Sequence, residues 1–315
     1  MTTSLADIRA AHQRIGSHIH RTPVLTSELI NRAVGATLYF KCENLQKAGA
    51  FKARGAANAV FLLSAPEAAA GVATHSSGNH GAALARAAQL RGIPAYIVVP
   101  SNAKSVKKAA IREYGGQVIE CEPTLAAREE TLARVVADTG ANFVPPYDDD
   151  RVIAGQGTAM LELAEQVPGL DQVVVPVGGG GLLAGVALVC EALGISVYGA
   201  EPVGADDACR SLATGVRVTS QQPDTIADGL LTTLGEKNFE IIRRLVTGVL
   251  LAGDADIVLA MRLLWSRMKL VVEPSAAITL AVIQQHPDIF RGRRVGVILT
   301  GGNVDLDHLP FGGVH

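Results

Sequence analysis

Seven short apolar runs recur along the chain, at 37–42, 71–75, 95–99, 117–121, 172–177, 195–200 and 294–300. Between most of them lie stretches whose apolar residues repeat at the helical period: 81–90, 105–114, 125–139, 155–166, 182–193 and 254–268. Strand-length runs alternating with helix-length ones read as βαβ units, because parallel neighbours need a helical crossover. Runs such as VVVPV and VGVIL lack polar alternation, which fits strands covered on both faces. The expected fold is therefore α/β, with parallel or mostly parallel sheets flanked by helices. The turn-rich PPYDDD at 145–150 reads as a hinge, and a second break falls near 64–71. That predicts two domains: a larger one from 1–70 and 148–315, interrupted by a smaller, mobile one at 71–147.

Hydrophobic residues make up 48% of the 315 and charged residues 18%, enough apolar side chain for a real core. Lys plus Arg is 28 against 30 acids, a net charge of −2, which argues against a nucleic-acid partner. The four cysteines form no CxxC pair, so they read as reduced thiols rather than a zinc site. The opening MTTSLADIRAAHQRIG has early charge and no apolar core, so no secretory leader is expected and a cytoplasmic location is. Residues 173–190 carry no charge over 18 positions, the length of a membrane span, but Pro176 and four glycines divide them into strand, loop and helix. Lys104, Lys107, Lys108 and Arg112 share one helical face and read as a solvated stripe.

Three of the strands run straight into loops of small residues. VATH leads into Ser76-Ser77-Gly78-Asn79-His80, VVVPV into Gly178-Gly179-Gly180-Gly181, and VGVIL, through Thr300, into Gly301-Gly302-Asn303. Ligands of open α/β sheets sit beyond the carboxyl ends of the strands, so three such loops suggest one polar ligand gripped mainly by backbone. Four successive glycines before the helix from Leu182 let N–H groups converge on one anion, with the helix dipole behind them. Phosphate is the natural guest. No Gly-Lys dipeptide occurs, which removes a P-loop. Gly179-x-Gly181-x-x-Ala184 with Glu201 beyond it also meets the dinucleotide fingerprint, so an NAD-dependent dehydrogenase stays open at this point. Against it, the Ser76–His80 and Thr300 loops are left without a role, and the acids around Glu201 and Asp207 suggest a hard cation.

Lys52, between Phe51 and Ala53, opens an alanine-rich helical stretch. Lysine is the side chain that forms a Schiff base with pyridoxal phosphate (PLP), and burial lowers its pKa toward that of a useful base. With this lysine in view, the motifs KCENLQKAGAFKARGAANA, HSSGNHGAALA, VIAGQGT, VVPVGGGGLLAG, EPVGADDAC, DTIADG, RMKLVVEPSAA and LTGGNVDL stand in order over about residues 20–306. They resemble the PLP-dependent serine/threonine dehydratase and serine racemase family, fold type II, tryptophan synthase beta-like, a group that includes 3-hydroxyaspartate ammonia-lyases.

The resemblance implies that Lys52 holds PLP and then acts as general base. Phe51 lies beside the ring and Asn79 bonds its hydroxyl. Gly178, Gly179, Gly180, Gly181 and the Leu182 N–H hold the phosphate, and Thr300 meets the pyridine nitrogen. The Ser76, Ser77, Gly78, Asn79 and His80 loop takes the substrate carboxylate. The implied reaction is β-elimination of a small β-hydroxy amino acid (L-threonine, L-serine or 3-hydroxyaspartate) to a 2-keto acid and ammonia. Ser77 matches the serine that protonates the opposite face of Cα in racemases, so serine racemisation is the alternative. Ala82, where racemases commonly carry Gln, departs from that pattern. Arg128 matches an arginine that can meet a second carboxylate. Glu201, the Ala205 carbonyl and Asp207 match a divalent cation site, Mg²⁺ or Ca²⁺. Ending about nine residues after TGGNVDL, without a regulatory domain, suits a catabolic role, and the family usually forms homodimers.

Overall fold

The computed structural model describes residues 3–103 and 105–311. Among the described residues there are ten strands: β1 (Val24–Leu25), β2 (Thr37–Cys42), β3 (Val72–His75), β4 (Ala95–Pro100), β5 (Gln117–Cys121), β6 (Asn142–Phe143), β7 (Gln172–Pro176), β8 (Ser196–Pro202), β9 (Gly248–Ala252) and β10 (Arg294–Leu299). They form two sheets, ordered β1-β2-β10-β7-β8-β9 and β5-β4-β3-β6. Every pairing is parallel except β1 with β2. Each expected run is a strand, and helices cover both faces of the larger sheet, whose β7 is buried throughout. The four-stranded sheet is built from residues 72–143 and the six-stranded sheet from the chain before and after it.

Two helices carry the lysine and the crossing segment to the site, and glycines let them approach closely. A Cβ added to Gly155, in helix Asp150–Gln166, would lie 2.6 Å from Gly55 Cα in helix Lys52–Leu62. The same helix meets Gly181–Leu193 at Gly157, where a Cβ on Gly185 would lie 2.7 Å from the Gly157 nitrogen.

Three local readings change. The helix expected over 254–268 is regular only to Leu263 and then widens into a π turn, Leu264–Met268, closed by Lys269 at φ 59°. The helix expected from 155 begins at Asp150, because the Asp149 carboxylate caps the N–H groups of Arg151 and Val152. The basic stripe is solvated only in part, with Arg112 exposed. Lys108 is buried, donating to the Ser101 carbonyl at 2.7 Å and pairing with Glu120 at 3.0 Å, and Lys107 pairs with Asp228 at 2.7 Å. Lys104 lies outside the described residues. The charge-free stretch is β7, a loop and a helix, and no helix among the described residues is long and apolar enough to cross a membrane.

Candidate active site

The carboxyl ends of β3, β7 and β10 converge on the start of helix Lys52–Leu62. Phe51 N donates to the Thr300 carbonyl at 2.9 Å, and Ala50 bridges to Gly301. This ties the lysine segment to the β10 loop. Asn303 Nδ2 donates to Asn79 Oδ1 at 2.9 Å, joining the β10 loop to the β3 loop. A Cβ on Gly178 would lie 3.0 Å from Leu230 Cα, and neighbouring Gly229 donates to Ser275 Oγ at 2.9 Å, which brings the tetraglycine turn in from the other side.

Lys52 Nζ donates to the Pro146 carbonyl at 2.6 Å and sits 5.1 Å from the Phe51 ring centroid. Burial pushes its pKa down to about 8, against the opposing charge of Glu273. About a tenth of the amine is therefore unprotonated at pH 7, far more than for an ordinary lysine.

The glycine turn offers uncapped donors. Gly180 has φ +89° and caps helix Gly181–Leu193 without a side chain. Among the described residues, no protein acceptor is paired with the N–H groups of Gly178, Gly179, Gly180, Gly181 or Leu182. All five residues are buried. Buried N–H groups without partners at a helix start fit a phosphate. The turn admits no side chain: a Cβ on Gly179 would lie 2.2 Å from the Tyr147 ring. These features fit PLP, with its aldehyde at Lys52 and its phosphate at the turn.

In the β3 loop, Ser76, Ser77, Gly78 and Asn79 are half-buried and His80 is fully buried. His80 Nε2 lies 3.0 Å from the Val144 carbonyl, which makes it the donor, while Nδ1 is buried without a partner. Burial, with the Lys52 charge behind it, pushes the His80 pKa down to about 3, so its ring is neutral. Thr300 is buried at the end of β10. Arg128 is half-buried and donates to the Thr124 carbonyl at 3.3 Å; its charge helps burial to hold His75, one residue before the loop, below its ordinary pKa.

Glu201 and Asp207 are neighbours, and Asp207 stands behind the tetraglycine turn: its partner Leu234 precedes Gly235, whose N–H donates to the Gly179 carbonyl at 3.1 Å. Glu201 accepts from the Ala208 and Cys209 N–H groups, and Asp207 from the Leu234 N–H and Gln221. Burial pushes them up to about 8 and about 6. Ala205 is buried in the turn between them. Among the described residues, no group of three or more His, Cys, Asp or Glu side chains is arranged to hold a metal.

Sequence reasoning passed over Glu273, Pro146 and Tyr147. Both Glu273 oxygens accept from Asn79 Nδ2, at 3.0 and 3.2 Å, and a Cβ on Gly301 would lie 2.5 Å from its Oε1. The dipeptide Glu273-Pro274 opening helix Pro274–Gln285 was the available signal. Burial pushes Glu273 up to about 7; Asp228 adds to the rise and Asn79 opposes it. Its folded pKa lies above the ordinary 4.5, so the unfolded chain gives up this proton first. Stability therefore falls as pH rises from 4.5 to about 7 and is flat above, a loss of roughly 3 kcal/mol at most from this group. Urea titrations of the cofactor-free protein should show a steeper decline over that window for wild type than for Glu273→Gln. Equal slopes would mean that Glu273 is not held as a neutral acid.

Comparison with known proteins agrees with this geometry. The family described as "Pyridoxal-phosphate dependent enzyme" matches residues 15–301. The chain is 53% identical over 307 residues to a beta-hydroxyaspartate dehydratase from Paracoccus denitrificans (strain Pd 1222), covering 97% of this chain and 98% of that one. The crystal structure of serine racemase from Dictyostelium discoideum is similar at TM-score 0.93 and 50% identity, covering 97% of this chain and 100% of that one. The crystal structure of a T.th. threonine deaminase is similar at TM-score 0.92 and 43% identity, covering 96% of this chain and 99% of that one.

Proposed function

Because the chain belongs to the pyridoxal-phosphate dependent enzyme family, we propose that it is an ammonia-lyase. It would remove water from a small β-hydroxy amino acid by β-elimination, giving a 2-keto acid and ammonia after hydrolysis. The observation that carries this reading is the half-buried Lys52, whose amine is held by the Pro146 carbonyl where the three strand-end loops meet. When bound, PLP supplies an electron sink for the pair left at Cα. Lys52 holds the aldehyde, and its freed amine takes the Cα proton; a pKa near 8 suits that task at neutral pH. Within the Ser76–His80 loop, the N–H groups of Ser77, Gly78, Asn79 and His80 orient the substrate carboxylate; the Ser76 N–H, expected to join them, is given instead to the Val98 carbonyl at 3.1 Å. Gly178 to Leu182 hold the phosphate, and Phe51, Asn79 and Thr300 border the ring.

Among L-serine, L-threonine and 3-hydroxyaspartate, 3-hydroxyaspartate is favoured. The Arg128 charge acts on His75, the residue before the carboxylate loop, and the similar dehydratase carries that substrate in its name. The proposal includes a divalent cation, Mg²⁺ or Ca²⁺, at Glu201, the Ala205 carbonyl and Asp207. Two neighbouring buried carboxylates with raised pKa values are what a cation would relieve. It also includes a homodimer, a cytoplasmic location, and a smaller mobile domain at 71–147 facing a body formed by 1–70 and 148–315. The separate four-stranded sheet supports that division.

Serine racemisation is the second reading. It is favoured by Ser77 in the β3 loop and by the similarity to serine racemase. A panel of β-hydroxy amino acids tests both. Ammonia and keto acid should appear one to one, fastest with 3-hydroxyaspartate, and Arg128→Ala should raise KM for that substrate about 10-fold or more while sparing serine. Accumulation of D-serine from L-serine, lost in Ser77→Ala, would instead establish the racemase. No ammonia from any member would refute the lyase.

A further inference from the structure

We propose that the backbone carbonyl of Pro146 positions the Lys52 amine for proton transfer, an inference that rests on Lys52 being the cofactor-bearing lysine. Lys52 Nζ donates to this oxygen at 2.6 Å, and it is the one acceptor paired with Nζ among the described residues. Glu273 reaches the amine through charge alone.

The oxygen is held from both sides. Pro145 and Pro146 restrict two successive backbone φ angles. Upstream, the Val144 carbonyl lies 3.0 Å from His80 Nε2 in the substrate loop. Downstream, Asn238 Nδ2 reaches the Tyr147 carbonyl at 3.3 Å and the Gly179 carbonyl at 2.6 Å. The Asp148 carboxylate accepts from Glu236 N and Lys237 N at 3.1 and 3.0 Å. The Tyr147 ring lies across Gly179. The segment thus spans the substrate loop, the lysine and the phosphate turn, and a wandering amine must come to it.

A neutral lysine amine has two N–H groups and one lone pair. Giving one N–H to Pro146 stops the amine from rotating freely and fixes where the lone pair points. The proton then passes from Cα to Nζ, and the electron pair stays with the substrate. The resulting ammonium keeps the same acceptor through a charge-assisted, stronger bond, so the carbonyl favours proton uptake.

The test converts the Pro146–Tyr147 amide to an ester by placing the α-hydroxy acid analogue of tyrosine at position 147 of the holoenzyme. The side chain stays and the carbonyl becomes a weaker acceptor. The expected result is a fall in kcat of about 10-fold with KM changed less than about twofold. The acid limb of the kcat–pH profile should move to lower pH, because the ammonium has lost stabilisation. Protein made by the same route with ordinary tyrosine at position 147, its amide intact, should leave that limb in place. An ester protein with the wild-type visible band, kcat and acid limb overturns the proposal. If the ester protein does not fold, a crystal structure of the cofactor-free wild type decides: Nζ within about 3.2 Å of the Pro146 oxygen supports it, and Nζ turned to solvent overturns it. Failure of the cofactor reading looks different, since Lys52→Ala would then keep wild-type turnover.

Discussion

Lys52→Ala is expected to lower kcat for ammonia release by at least about 10³-fold, because it removes both the covalent anchor and the general base. PLP should bind weakly and wash out on dialysis, taking the visible absorption with it. The protein should still fold, since the residues that follow Lys52 in its helix, Ala53 to Val60, are all buried and pack independently of the amine. Lys52→Arg should not restore turnover. Arginine keeps its proton and offers no lone pair to an aldehyde or to Cα. Ammonia assays, absorbance and far-UV circular dichroism on the same samples separate chemistry from folding. A folded Lys52→Ala protein with wild-type kcat would refute the assignment of this lysine and the reaction built on it.

The strand-end loops were legible in sequence because their signals are local. A parallel strand, a run of glycines and a helix start occupy consecutive residues, and the charge-free stretch 173–190 folds as those three parts. Lys52 was legible only through the company of its motifs, since a lysine at a helix start is ordinarily a solvated one. Glu273 and Pro146 were not legible. Their roles arise from contacts with Asn79 and Lys52, far away in the chain, and a backbone carbonyl has no residue signature. The β9 strand was missed because its VLLA segment is half-buried at a sheet edge, with too short an apolar run to stand out. Lys41 gave a fainter clue. A charge between Phe40 and Cys42 in an otherwise apolar strand breaks the expected pattern, and it belongs to a buried network.

That network is the basis of the largest stability effect expected outside the site. Arg54, Glu43, Lys41 and Glu162 are all essentially inaccessible, and their two positive and two negative charges cancel. Arg54 bonds Glu43 through Nε and Nη2, both at 2.7 Å, and Glu162 through Nη1 and Nη2, both at 2.8 Å. Lys41 Nζ meets Glu162 at 2.7 Å, and the Thr22 hydroxyl donates to Glu43 at 2.6 Å. Burial pushes Glu162 up, but Arg54 and Lys41 outweigh it and hold the carboxyl below its ordinary pKa. Arg54→Met leaves two buried carboxylates facing one lysine, which should cost about 3–5 kcal/mol of the roughly 5–15 available to a folded protein. Arg54→Lys should recover little, because an ammonium cannot fork between two carboxylates. Adding Glu43→Gln to Arg54→Met restores neutrality and should return part of the loss, so the double variant is less destabilised than the two single changes summed. Arg54 stands two residues from Lys52 on one helix, so surviving Arg54→Met protein should also hold PLP less tightly. Urea denaturation of the cofactor-free wild type and of the Arg54→Met, Arg54→Lys, Glu43→Gln and double variants measures the energies. An Arg54→Met protein within about 1 kcal/mol of wild type would show that the network is dispensable, because surface substitutions cost no more than that.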